Sequence, residues 1–305
     1  MPVEKSSSLP VTPSVSLSGG WRQIDPRWFQ ISVLGSLLCY ALFVLGFDLS
    51  FPYVATILGS VIFFQILFSK GAGLDRIELK SALISGLSLC LLFRTNSLVV
   101  ALLAAFITIG SKFFIRIRGK HLFNPTNFGI VAAMLLTGSG WISPGQWGSF
   151  VFFSALTACC GLMVVTRAKT IDLTFSFLVF YVGLLFYRAS FLGDPWQIPI
   201  HQLENGALII FSFFMISDPR TTPNTRIGRI LFSLIVAVIA YYFRFKLFNP
   251  NGLLYSLVLA SMLVPLIDLI FKGEIYNWTG KSGGRNARLD SSGRSIPGRQ
   301  LPLPA

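Results

Sequence analysis

The sequence predicts an all-α polytopic membrane protein, with about ten transmembrane helices in two inverted five-helix repeats and both termini in the cytoplasm. Three observations lead there. Of 305 residues, 53% are hydrophobic and only 12% charged, about half the charged share of a soluble domain. The apolar residues gather in blocks of roughly 15 to 23, near the length that crosses a bilayer. Basic residues alternate between the loops that join those blocks, as they do when charge sets membrane orientation. This pattern excludes a soluble enzyme, a disordered chain and a coiled coil.

Residues 1–30 read as a flexible Ser/Pro-rich tail whose last stretch, Trp21 to Gln30, is interfacial. Ten apolar segments follow, at 31–47, 51–69, 79–93, 97–115, 123–138, 146–166, 171–193, 206–217, 227–245 and 251–271. The third and eighth are short. Residues 272–305 carry no apolar run and read as a second, basic, disordered tail. The first apolar run begins near Ile31, behind the polar stretch, so no cleavable signal peptide is expected.

A net charge of +13 would suggest nucleic acid in a soluble protein. Here the basic residues sit between apolar blocks, so the partner is the lipid bilayer and no nucleic acid is expected. With ten spans, the tails and the even-numbered loops hold every Lys and Arg except Arg94, Arg188, Arg244 and Lys246. A wrong segment count would scramble this alternation. Cys39, Cys90, Cys159 and Cys160 lie within apolar runs and form no CxxC pair. They read as small buried hydrophobes, and no metal centre is expected.

Segment five opens with Phe123-Asn124-Pro125-Thr126-Asn127-Phe128-Gly129, and segment ten with Phe248-Asn249-Pro250-Asn251-Gly252. Repeats of 31–138 and 146–271, each of five spans, must have opposite orientation, and binding sites in such folds form where the halves meet. Asn before Pro also makes a sound helix start. Taken singly, each copy reads as a cap. The first copy adds Thr126 and Asn127 inside a span, where polar groups are costly. A capped helix start also presents amides to an anion or a polar heterocycle.

A second candidate joins segments eight and nine, Met215-Ile216-Ser217-Asp218-Pro219-Arg220-Thr221-Thr222-Pro223-Asn224-Thr225-Arg226. It reads equally as a rigid turn, with Asp218 paired to Arg220 or Arg226 and Thr225 capping segment nine, or as a ligand site. Both motifs fall on the cytoplasmic face of this topology. Asp268 is placed to face the same interface or to pair with Lys272. No mid-span acidic residue marks a proton or sodium relay. Walker A, nucleophile-elbow and dinucleotide-binding motifs are absent.

At these motifs the chain resembles the NqrB/RnfD family, the flavin-bearing membrane subunits of the sodium-pumping NADH:quinone reductase and of the Rnf electron-transfer complex. The resemblance rests on Gly119 to Gly129, Ser217 to Pro223, Arg226 to Phe232, Asn251 to Tyr255 and Leu263 to Asp268. It implies a bacterial inner-membrane protein, one-electron transfer in some members coupled to ions, and partner subunits of a redox complex. Carried over by motif, Asn124, Thr126, Asn127 and Phe128 would line a flavin (FMN or riboflavin), with Asp218, Arg220, Thr221 and Thr222 opposite. Family members esterify FMN to a Ser-Gly-Ala-Thr-type motif. The corresponding stretch here, Thr137-Gly138-Ser139-Gly140, lacks it, so a non-covalent flavin is expected. In this the chain is similar to a stand-alone branch associated with enediyne biosynthesis. The alternatives are a small-molecule or ion transporter on the same scaffold and a non-redox membrane partner in a biosynthetic complex.

Overall fold

Several helix starts follow from capping chemistry. In the computed structural model, which describes residues 25–47, 49–143, 170–203 and 205–273, Asp25 caps α1 (Pro26–Phe43) by accepting from the Arg27 amide. Ser50 caps α2 (Phe51–Gly71), and α3 (Leu79–Leu92) leads into a two-residue strand β1 (Phe93–Arg94). Ser97 caps α4 (Leu98–Phe114). A hairpin of β2 (Arg116–Ile117) and β3 (Lys120–His121) then delivers the chain to α5 (Pro125–Thr137). Gly138 ends α5 at φ 58°, a left-handed conformation natural to glycine. Strand β4 (Trp141–Ile142) returns to pair antiparallel with β1.

The second half contains α6 (Ile171–Leu192), the short α7 (Gln197–Leu203) and α8 (Gly206–Ile210), which runs into a π-helical turn at Phe211–Met215. Then come α9 (Arg226–Phe245), capped by Thr225 as its sequence suggests, α10 (Gly252–Ser261) and α11 (Val264–Ile270). The sixth apolar segment, Cys159, Cys160, Asp48 and most of both tails lie outside the described residues.

The described residues are mostly helical, with apolar helices at nine of the ten segment positions. By length and composition α2, α6 and α9 can each cross a membrane, and α10 with α11, bent by 47° at their junction, can do so as a pair. The other apolar helices are shorter for local reasons. The third segment stops at Leu92 because Phe93-Arg94 pairs as a strand, and the eighth widens into the π turn. Pro265 near the start of α11 lacks the amide that would continue α10, which accounts for the bend. Helix α1 begins five residues earlier than the sequence pattern places it, so the end of the interfacial stretch is helical. Cys90 is buried as expected, whereas Cys39 lies exposed on α1, where an apolar thiol can face lipid as readily as core.

Packing repeats between the halves. Helix α4 packs on α2 and α5, while α9 packs on α6 and α10, the corresponding partners. Each fourth–fifth pair closes on a glycine. A Cβ at Gly129 would stand 3.0 Å from the Ala104 carbonyl, and one at Gly252 would stand 3.1 Å from the Ala240 carbonyl. Small residues at such crossings let backbones approach and gain dispersion contacts in lipid, where no hydrophobic effect drives helices together. Helices α5 and α10 meet across the molecule, and Asn127 there donates to the Leu254 carbonyl at 3.0 Å.

Candidate functional site

Asn124 draws the two polar motifs together. Its Oδ1 accepts from the Asn127 amide at 3.1 Å, capping α5, while its Nδ2 donates to the Met215 carbonyl at 3.1 Å. That carbonyl belongs to the last residue of the π-helical turn, and Thr170 Oγ1 holds the next bend through the Ser217 carbonyl at 3.0 Å. The chain then turns at Asp218, whose carboxylate accepts from the Arg220 amide at 3.1 Å. Between these elements lies a cavity of about 70 Å³ lined by Asn124, Thr126, Asp218 and Arg220.

Four of the eight residues singled out in the sequence therefore share one cavity, and the other four do not line it. Asn127 turns to α10, as above. Phe128 stacks on Phe123 at 4.6 Å between ring centres. Thr221 Oγ1 donates back to the Asp218 carbonyl at 3.2 Å, and the Thr222 carbonyl accepts from Lys120 Nζ. Asp218 makes no ion pair with Arg220 or Arg226 among the described residues; the backbone bond to Arg220 takes that place. Asp268 pairs with Lys120 at 3.0 Å rather than with Lys272, and accepts from the Asn224 amide at 2.8 Å.

Sequence reasoning missed the opposite wall. Ser81, Ser85 and Ser88 of α3 line the cavity with Arg27, Gln30 and His121. A signal was present: serines at i, i+4 and i+7 put one polar stripe on an otherwise apolar helix. Lys112, buried in the last turn of α4, donates to the Ser81 carbonyl at 2.9 Å and to its hydroxyl at 3.1 Å.

The charge balance here is positive. Burial raises the Asp218 carboxyl pKa, against the opposing pull of the Arg220 amide and guanidinium, Lys112 and Lys120. Burial lowers His121 to about 3, and the cations Arg116, Arg220 and Lys112 push the same way. His121 is therefore neutral at pH 7, and its buried Nδ1 has no partner among the described residues. Hydroxyls, amides and guanidinium groups make the cavity rich in donors. Such a lining suits a carbonyl-bearing or anionic edge.

Residues 132–277 match the profile of the NQR2, RnfD, RnfE family. This segment belongs to the RnfD/NqrB family. Curated relatives matching the chain include an ion-translocating oxidoreductase complex subunit of Shewanella amazonensis, 30% identical over 148 residues, 47% of this chain and 39% of that protein. The same-named proteins of Buchnera aphidicola subsp. Baizongia pistaciae and Pectobacterium atrosepticum are 32% and 28% identical, each match covering under half of either protein. The chain thus spans about two-fifths or less of the length of these relatives. The RnfD/NqrB segment contains Asp218, Arg220 and the Met215 carbonyl, whereas Asn124 and Thr126 precede it. The cavity is therefore walled on one side by RnfD/NqrB-matched residues and on the other by residues before the matched part.

An RnfD/NqrB-type flavin is compatible with this lining at one edge of its ring. The pyrimidine edge carries two carbonyls and ring nitrogens. Arg220 offers donors to it, the Ser85 and Thr126 hydroxyls, which donate to the Ser81 and Ser85 carbonyls, offer lone pairs to its ring N–H, and His121 adds an unpartnered ring nitrogen. At about 70 Å³ the cavity has room for about five waters. That admits a polar edge rather than a whole tricyclic ring.

Proposed function

We propose that the chain is a membrane electron-transfer protein that holds a non-covalent flavin by its polar edge in the Asn124–Asp218 cavity. The observation that carries this reading is the convergence of two motifs, 91 residues apart, through the Asn124–Met215 bond. The relatives' name, which places them in an ion-translocating oxidoreductase complex, supports it. So do the three to four membrane-length spans among the described residues and the matched helix packing of the two halves. The topology proposed with it is ten spans in inverted repeats with cytoplasmic termini, in a bacterial inner membrane beside other redox subunits.

When bound, a flavin supplies the one-electron chemistry. The protein's own residues do the rest. Asn124 fixes the cavity floor, and Thr126, Ser85 and Ser88 offer hydroxyls to a heterocycle edge. Arg220, with Lys112 behind Ser81, favours negative charge developing there. The small volume of the cavity favours one second reading, binding or transport of a small polar solute.

A visible spectrum of the mildly solubilised protein tests the proposal. The expected result is flavin absorbance that passes to the supernatant on acid precipitation and is lost in N124L and D218N. Flavin retained in the pellet would mean covalent attachment. A colourless wild-type protein with saturable solute uptake would replace the reading with transport.

A further inference from the structure

A second polar site lies at the opposite end of the same helices. Arg94, in strand β1, is only 7% exposed. Its Nη1 donates to the Cys90 and Phe93 carbonyls at 2.6 and 2.8 Å, and the Phe47 ring lies 5.7 Å from its Cζ. Nη2 is buried with no acceptor, and among the described residues no carboxylate lies within ion-pair distance. Leaving a buried guanidinium without an opposing charge is costly. The cost falls if something outside the described residues supplies the anion.

The surroundings are arranged for one. Arg94 borders a cleft of about 590 Å³ together with Ser50, Tyr53, Thr95 and Asn96. Ser50 caps α2 and Ser97 caps α4, so the positive ends of two long helices meet at this cleft. Its rim is apolar at Leu98 and Pro52, and the exposed Phe51 and Val99 continue down the helix surfaces. A phosphate held in the cleft would leave attached hydrocarbon lying along α2 and α4. We infer that Arg94 and the converging starts of α2 and α4 form a phosphate-binding site, suited to the headgroup of an anionic phospholipid. The site is independent of the Asn124 cavity and of whether a flavin binds there.

The test uses the full chain in nanodiscs of phosphatidylcholine with or without phosphatidylglycerol, read by native mass spectrometry and thermal melting. The expected result is phosphatidylglycerol retained by wild type and reduced about tenfold or more in R94Q, with R94K intermediate because it keeps the charge but loses the fork. A rise in melting temperature with inorganic phosphate but no lipid retention would assign the site to a soluble phosphate. If R94Q does not fold, wild type decides alone: the absence of both a lipid preference and a phosphate response overturns the site. Equal retention by wild type and R94Q also overturns it. So does phosphate binding that appears only in D48N, which would make Asp48 the counter-charge.

Discussion

The two Phe-Asn-Pro copies are the same tripeptide with opposite fates. In the first, Phe123 is buried and stacked on Phe128, Asn124 caps α5 and bonds across to Met215, and Pro125 is the first helical residue. In the second, Phe248 is 84% exposed at φ 52°, and Asn249 only closes a local turn by accepting from the Asn251 amide. The helix there begins at Gly252, two residues after the proline. The sequence reading of both copies as helix starts therefore holds for the first and shifts for the second. A motif acquires a role from what its neighbours place opposite it. Asn124 meets a carbonyl of a π-helical turn, whereas Asn249 meets only its own loop.

The largest break in this comparison is expected at the phenylalanines. Phe123→Ala should cost about 3 kcal/mol by opening a cavity beside Phe128, and Phe248→Ala should stay within about 0.5 kcal/mol. Reversible unfolding in mild detergent compares them directly. The asparagines come next: Asn124→Ala should lose about 2 kcal/mol, from a helix cap and a buried bond, and Asn249→Ala under half of that. Equal losses would dissolve the contrast.

The glycines sharpen the comparison from the other direction, since both halves use one at the fourth–fifth crossing. A Cβ at Gly129 would fall 1.8 Å from Thr108 Oγ1, and one at Gly252 falls 2.9 Å from the Phe243 Cβ. Gly129→Ala and Gly252→Ala should each cost about 1–3 kcal/mol, with Gly129→Ala the worse. A further contrast is pH dependence, to which His121, just before the first copy, contributes. His121 is held at about 3 against an ordinary 6.5, so the unfolded chain takes up a proton that the folded one refuses. Stability should fall as pH drops from about 6.5 toward 3. His121→Asn should flatten that slope, and a melting series from pH 7 to 4 would show whether it does.

Much of this was legible in the residues. Caps at Asn124 and Thr225, the turn at Asp218 and the proximity of two motifs follow from local chemistry that one sequence displays. What was not legible is partner choice. Nothing in the sequence says that Asp268 meets Lys120 at a separation of 148 residues rather than Lys272 four residues on. Thr222 looked like a ligand because it carries a hydroxyl, yet it is its carbonyl that Lys120 uses. The serine stripe of α3 was readable but spread over eight residues, where it lacks the density of a motif.

Three of the bonds joining the two halves share one property, beside the bonds of Lys120 to the Asn224 and Asp268 side chains. Asn124 reaches the carbonyl of Met215, Asn127 that of Leu254, and Lys120 that of Thr222. In each pair the first half contributes a side chain and the second half only its backbone. A saturation mutagenesis screen should therefore find intolerance one-sided. Positions 120, 124 and 127 should reject nearly every replacement, while 215, 222 and 254 accept any side chain of fitting size, because a peptide carbonyl is supplied by all twenty amino acids.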